Sequence, residues 1–354
     1  MRRHRAFTVV ELVVVIAIIG LLIALVPPAV QAVRESSRRS ACAHNLQKIG
    51  TGLAAHVQAK QALPMGVYWN SPPGGKPNVD NARVTWLVYL LPFVESAALF
   101  DRLVLVPPPG LGWQSMTMNY APNGPVVGST IAAYQCPADP GRKPLGHGPT
   151  PGSRSNYVGC FSPDGTMVER SAWDSRYAYD PGPPNNPSPT DFRAAFNWNV
   201  AHPLDQVRDG TAHTIAASET IAVDDDHRGL WWHEWGAQYS HSRPPNSTLP
   251  DEVAEWTLKW NGCNSIPKAP CIGRPDYQWS NCNFAARSRH AGGVNGVMLD
   301  GAVRFFDDGI DLAVWRAIAS IDGGEPTASS NSVPASETGE TAAAVQRSQR
   351  PGRL

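Results

Sequence analysis

Carboxylates and imidazoles crowd one short stretch, Asp224-Asp225-Asp226-His227 followed by His233-Glu234, and such a set can hold a cation. Clustered carboxylates suit Ca2+, whereas imidazoles suit Zn2+. The stretch has neither the spacing of an EF-hand loop nor that of a His-Glu-x-x-His helix. Asp224, Asp226, His227 and His233 are therefore weak metal candidates, and a solvated acidic loop is the preferred reading. His290, Asp300 and Asp209 make a second set that could ligate a metal or exchange protons. Asp300-Gly301 and Asp209-Gly210 both read as turns, however, and turn chemistry accounts for them without a ligand. His290, just ahead of Gly292-Gly293, then serves as a hydrogen-bonded support for a hairpin. The Gly-x-Ser-x-Gly, Walker and Gly-x-Gly-x-x-Gly patterns are absent, which removes the usual hydrolase, phosphate and dinucleotide signatures. No cofactor and no enzymatic activity are expected.

The chain has 6 cysteines, Cys42, Cys136, Cys160, Cys263, Cys271 and Cys282, none in a Cys-x-x-Cys pair, so zinc-finger and thioredoxin chemistry have no support. Outside the cytoplasm an even number permits disulfides. Cys263 and Cys271, close together in a Pro/Gly-rich loop, are the pair expected to bond, and the remaining pairings stay open. The run Trp231-Trp232-His233-Glu234-Trp235 could line a sugar or peptide groove, but Trp buried in a core strand is the preferred reading.

The elements that must position these residues follow from composition and pattern. The 354 residues carry 30 basic and 30 acidic side chains, so there is no positive field to neutralise phosphates, and no nucleic-acid partner is expected. With 31 Gly and 33 Pro the body reads as strand-rich and turn-rich. Stretches around Gly152, Pro181 to Pro189 and Arg243 to Pro250 read as surface loops. The N-terminus differs from all of this. Arg2, Arg3, His4 and Arg5 precede an uncharged run from Leu12 to Val30, close to the roughly 20 residues that span hydrocarbon. The basic flank predicts a cytoplasmic N-terminus and a body on the other side of the membrane. Glu11 sits at the edge of this run, where a carboxylate is costly unless it is paired or lies in the headgroup layer.

Beyond the span, Cys42, Leu46, Ile49, Leu53 and Val57 recur at helical spacing, predicting an amphipathic helix. Helix from Phe7 to Lys60 would make a rod of about 80 Å, kinked at Pro27-Pro28. Trp86 to Glu95 reads as a short helix or irregular packed segment, since it ends near Pro92. Val294 to Leu299 and Ala302 to Phe306 flank Asp300-Gly301, a hairpin signal in which both turn residues take positive φ. Asp311 then caps a closing helix that runs to Ile321. From residue 323 to 354 aromatic residues are absent and Ser, Thr, Ala and Glu abound, predicting a disordered tail.

Arg5-Ala6 before Phe7-Thr8-Val9-Val10-Glu11, followed by the apolar run, resembles the leader of type IV prepilins and type II secretion pseudopilins. The resemblance implies cleavage by a prepilin peptidase between Ala6 and Phe7 and methylation of the new amine. It also implies that Glu11 pairs with the N-terminal amine of a neighbouring subunit. The family usually has Gly where this chain has Ala6. Four further stretches, in order, are similar to a bacterial family of unknown function with prepilin-type anchors. They are Cys42-Ala43-His44-Asn45-Leu46-Gln47-Lys48-Ile49-Gly50, Cys136-Pro137-Ala138-Asp139, Val207 through Asp209-Gly210 to Ser218-Glu219, and His290 followed after nine residues by Asp300-Gly301.

The resulting expectation is an α+β, pilin-like protein, a long N-terminal transmembrane and amphipathic helix packed on a β-rich head. Its parts are a leader over 1–6, a membrane segment over 7–30, an amphipathic helix over 31–62, a head over 63–322 and a tail over 323–354. The expected role is non-enzymatic assembly, secretion or surface interaction from the inner membrane, with the head extracytoplasmic. Expected partners are the prepilin peptidase, the membrane, and a homo-oligomer or pseudopilin complex. Two rivals stay open: a tethered binding module that uses the leader only for export, and a metal-dependent envelope enzyme.

Overall fold

A computed structural model describes residues 9–70, 82–106, 120–139, 145–147, 150–163, 194–254, 263–274 and 282–323. The Ala6-Phe7 junction, the loop at Pro181 to Pro189 and, apart from residue 323, the tail expected over 323–354 lie outside the described residues.

Helix α1 runs as one element from Val9 to Lys60. Pro27 and Pro28 lie inside it. The two bonds their nitrogens cannot donate, to the carbonyls of Ile23 and Ala24, are lost without ending the helix. Its first half exposes apolar side chains all round, including Leu12, Ile16, Ile19, Leu22 and Val26. Its second half buries one stripe, Cys42, Leu46, Ile49, Leu53 and His56, as the spacing predicts, while Val57 is partly buried at its end. The single helix thus has two solvents: a surface apolar on every side suits lipid, and a stripe suits a protein core.

The stripe lies against a five-stranded sheet of order β12-β11-β6-β5-β7, made of β5 (Tyr157–Ser162), β6 (Ile215–Glu219), β7 (Gln238–Ser240), β11 (Gly293–Met298) and β12 (Val303–Asp307). All neighbours are antiparallel except β5 and β7. Gly50 permits the contact between helix and sheet. A Cβ there would stand 2.8 Å from Val297 Cγ2 and 3.1 Å from the Gly301 backbone. Around the main sheet lie the pairs β1 (Val67–Asn70) with β2 (Ala82–Thr85) and β3 (Leu145–His147) with β4 (Thr150–Gly152). A third small sheet joins β8 (Asp251–Ala254), β9 (Cys271–Arg274) and β10 (Cys282–Asn283). Long helix plus sheet-rich head makes the protein α+β.

Trp86 begins α2 (Trp86–Leu90), the short helix expected there, and stacks on Phe196 with ring centroids 4.7 Å apart. Its indole donates to the Ala237 carbonyl at 2.8 Å, so the apolar burial carries no unpaired N–H.

Two local readings need correction. The hairpin forms, but only Gly301 of the Asp-Gly pair has positive φ. Met298 accepts from Gly301 N and donates to Ala302 O, both at 2.9 Å, so the loop is the three residues Leu299, Asp300 and Gly301. A first turn followed by a left-handed Gly suits the strand twist as well as the two-residue turn does. Asp300 holds it by accepting from Ala302 N at 2.8 Å. The stretch around Gly152 is not a surface loop: Gly152 is buried in β4 with Trp232 directly over its Cα. The closing helix (Leu312–Ala317) is shorter than expected, with Asp311 as its N-cap, accepting from Ala313 N and Val314 N.

Candidate functional site at the helix–head junction

Glu35 and Cys42 stand seven residues apart on α1, two turns along one face. Cys42 is joined by a disulfide to Cys136, which follows a short 3-10 turn, Ala132–Tyr134. The Cys42 carbonyl also accepts from the Tyr157 hydroxyl at 3.0 Å, and Asn45 donates to the Gln135 carbonyl at 2.6 Å. The helix is therefore held to the head by one covalent bond and by polar contacts on either side of it.

Beside the disulfide His290 is enclosed between the helix and the end of β6. Its Nδ1 lies 2.8 Å from Glu35 Oε1. Its Nε2 lies 3.4 Å from Glu219 Oε1 and 3.7 Å from Cys136 Sγ. Glu219 is oriented by Asn295, whose backbone N and side-chain Nδ2 donate to it at 2.8 and 3.0 Å. Burial alone would lower the His290 imidazole below its ordinary value, but hydrogen bonds and charge from Glu219 and then Glu35 outweigh it and raise it. Asp139 closes the arrangement: it pairs with Arg289 and accepts from Asn156 Nδ2 at 2.8 Å and Ala222 N at 2.9 Å. An open groove of about 560 Å³ adjoins the junction, lined by Glu35, Arg39, Asn295, Arg304 and Phe305 among others.

The raised imidazole has a pH consequence. A group whose folded value exceeds its ordinary 6.5 contributes stability below pH 6.5 and loses it as pH rises through the folded value. The melting temperature of the native chain should therefore exceed that of His290→Gln most just below pH 6.5, with the gap closing on the alkaline side. An equal gap at every pH would mean that His290 acts by packing alone.

Of the expected site residues, His290 does not meet Asp300 or Asp209. It stands at the opposite end of β11 from the hairpin turn, a strand of six residues, about 20 Å long. The two Asp-Gly turns do lie together, since Asp300 N donates to Thr211 O at 3.1 Å. Asp209 is fixed by its own turn, with Gly210 at φ +89°, and accepts from Gly323 N at 2.9 Å. Both aspartates make backbone contacts of the kind that a turn needs.

The solvated acidic loop is overturned. Asp226, His227 and His233 are all buried, and within the stretch Asp224 to His227 only Asp225 is exposed. Asp226 turns its carboxylate to Arg228 at 2.7 Å. Arg228 also reaches Asp251 Oδ2 at 2.7 Å, and Arg287 donates to both Asp251 oxygens, at 2.8 Å to Oδ1 and 3.0 Å to Oδ2. Asp224 is half-buried and offers its backbone carbonyl to Asn264 Nδ2 at 2.8 Å. The His227 and His233 rings pack 4.9 Å apart beside Trp235. Three of the four weak metal candidates thus divide between an ion-pair network, which holds Asp226, and an aromatic cluster, which holds His227 and His233. Trp231 and Trp232 are buried, which removes them as a ligand groove, but they lie in turns between β6 and β7 rather than in a strand. Cys263 and Cys271 are bonded as expected.

The partners that spacing does not reveal are Glu35 and the Cys42–Cys136 pairing. A single Glu on a polar helix face has no local signature. Cys42, Cys136, Glu219 and His290 each stand in one of the four separated motifs, and the fold brings all four motifs to one point.

A family model for proteins of unknown function (DUF1559) matches residues 31–313. The chain belongs to this family. The DUF1559 match begins within α1, just ahead of the junction, and spans nearly all of the head. A second model, the prokaryotic N-terminal methylation motif, matches residues 1–27. No curated protein and no solved structure matches the chain. This DUF1559 protein therefore carries a prepilin-type N-terminal motif on a single apolar helix, which fits a membrane-anchored protein.

Proposed function

We propose that the protein is a pilin-like or pseudopilin-like subunit of the bacterial envelope. The prepilin peptidase cuts between Ala6 and Phe7, α1 holds the mature chain in the inner membrane, and the head lies outside the cytoplasm. Its work is assembly, secretion or surface interaction rather than catalysis. The observation that carries this reading is the methylation motif over residues 1–27 on a helix that is exposed and apolar in its first half and docked in its second. Mass spectrometry of the protein extracted from membranes tests it: the mature chain should begin at N-methylated Phe7. A chain beginning at Met1 would leave an ordinary anchor and put the tethered binding module first.

Glu11 lies in the first turn of α1 on an otherwise apolar, exposed surface. A carboxylate kept there is stabilised by pairing with the new N-terminal amine of a second copy. Glu11→Ala should leave membrane insertion intact and reduce cross-linked oligomers several-fold. Unchanged cross-linking would remove the intersubunit role. The binding-module rival predicts no self-association in either form.

A further inference from the structure

His290 addresses its two neighbours unequally. Nδ1 has a short contact, 2.8 Å, to Glu35, whereas Nε2 stands 3.4 Å from Glu219 Oε1 and 3.7 Å from Cys136 Sγ. A committed charge-assisted bond would be about 2.7–2.9 Å long. Nε2 therefore faces a sulfur and a carboxylate together, with a long contact to each. One ligand atom from each of Cys42, Cys136, Glu219 and His290 lies within 4.8 Å of the other three, and all four residues are buried.

We infer that the junction is a latent site for a zinc-class divalent ion, formed when the Cys42–Cys136 disulfide is reduced. Two thiolates, one imidazole and one carboxylate make a four-coordinate set typical of Zn2+, with metal–sulfur bonds of about 2.3 Å and metal–nitrogen bonds of about 2.0–2.1 Å. Sulfur ligands exclude Ca2+ and Mg2+, which take oxygen. The surroundings are those of a metal-binding histidine: the nitrogen that does not ligate is fixed by a carboxylate, here Glu35, and the ligating carboxylate is itself held, here by Asn295. Glu35 and Asn295 also line the adjoining groove, which provides an entry path from solvent.

The chemistry balances with a dithiol donor as reductant. Its two sulfurs close a new disulfide, the Cys42–Cys136 bond breaks, and two electrons and two protons pass to the pair. The entering ion displaces those two protons, leaving both sulfurs as thiolates on the metal. In the oxidised state the disulfide pins α1 to the head; in the reduced state the ion bridges the same elements, with Cys42 from the helix and the other three ligands from the head. This goes beyond the pilin-like reading, and neither depends on the other.

The test uses the full-length chain in detergent, with Cys263→Ala and Cys271→Ala introduced together so that reduction yields only this dithiol. After treatment with a phosphine reductant, Co2+ is titrated and then displaced by Zn2+. One Co2+ per chain is expected, with a sulfur-to-cobalt charge-transfer band and the visible bands of a four-coordinate site, and neither band in the oxidised chain. Glu35→Gln alters a half-exposed helix residue and should weaken binding by about 10–100-fold while circular dichroism stays unchanged. The inference is overturned if the reduced chain stays folded without the band, or unfolds before metal is added. It is also overturned if the oxidised chain or Cys42→Ala gives the same band.

Discussion

Asp251→Ala should cost the head about 3–5 kcal/mol, the range for removing one partner of a buried ion pair. Asp251 is enclosed and takes two guanidinium groups, Arg228 on Oδ2 and Arg287 on both oxygens. It also accepts from the Ala285 N–H at 3.0 Å, which fixes the approach to the main sheet. Ala would leave two enclosed cations, with Asp226 the carboxylate still paired to Arg228. Denaturant unfolding of the extracted protein measures the loss. A cost below about 1 kcal/mol, the level of an exposed pair, would show that water enters the network. Asp251 also has a pH signature. Burial would raise its carboxyl, but Arg287 and Arg228 outweigh that and lower it below its ordinary 3.8. Its stabilisation is therefore present above pH 3.8 and lost as pH falls through the lower folded value.

Cys42→Ala removes the other large contribution. The Cys42–Cys136 bond closes a loop with a sequence separation of 94. The loop-entropy relation assigns a closure of that length about 4–5 kcal/mol. The substitution also leaves Cys136 as a buried single thiol. Thermal unfolding should shift down strongly, and hydrogen exchange should rise from Glu35 to Lys60, where the helix leaves the head. An unchanged melting temperature would mean that burial of Leu46, Ile49 and Leu53 docks the helix unaided. The Cys263–Cys271 bond closes only a separation of 8 and should contribute less.

The two effects bear on different parts of the structure. The disulfide, with Glu35, His290 and Glu219, joins α1 to the head. The Asp226, Arg228, Asp251 and Arg287 network instead ties the loop after β6 to β8 and to the segment that leads into β11.

Much of the architecture was legible in the residues because it rests on short-range chemistry. The apolar run after Phe7 needs only its own length to declare a span, and Cys42, Leu46, Ile49 and Leu53 need only their spacing to declare a buried stripe. Asp311 declares a cap because its side chain reaches backbone N–H groups two and three residues on, and Cys263 finds Cys271 within one loop. The Asp300-Gly301 hairpin was legible as a turn, but its length was not, since two-residue and three-residue loops both accept Gly at a left-handed position. The junction and the ion-pair network were decided only by tertiary structure. His290 meets Glu35 across 255 positions of sequence and Glu219 at the end of β6, and Arg228 meets Asp251 only once β8 is placed. Composition around Asp224 to His227 suggested solvation, and burial reversed it. A charge reads as solvated until its counter-charge is known, and that counter-charge is set by how the sheets pack rather than by neighbours along the chain.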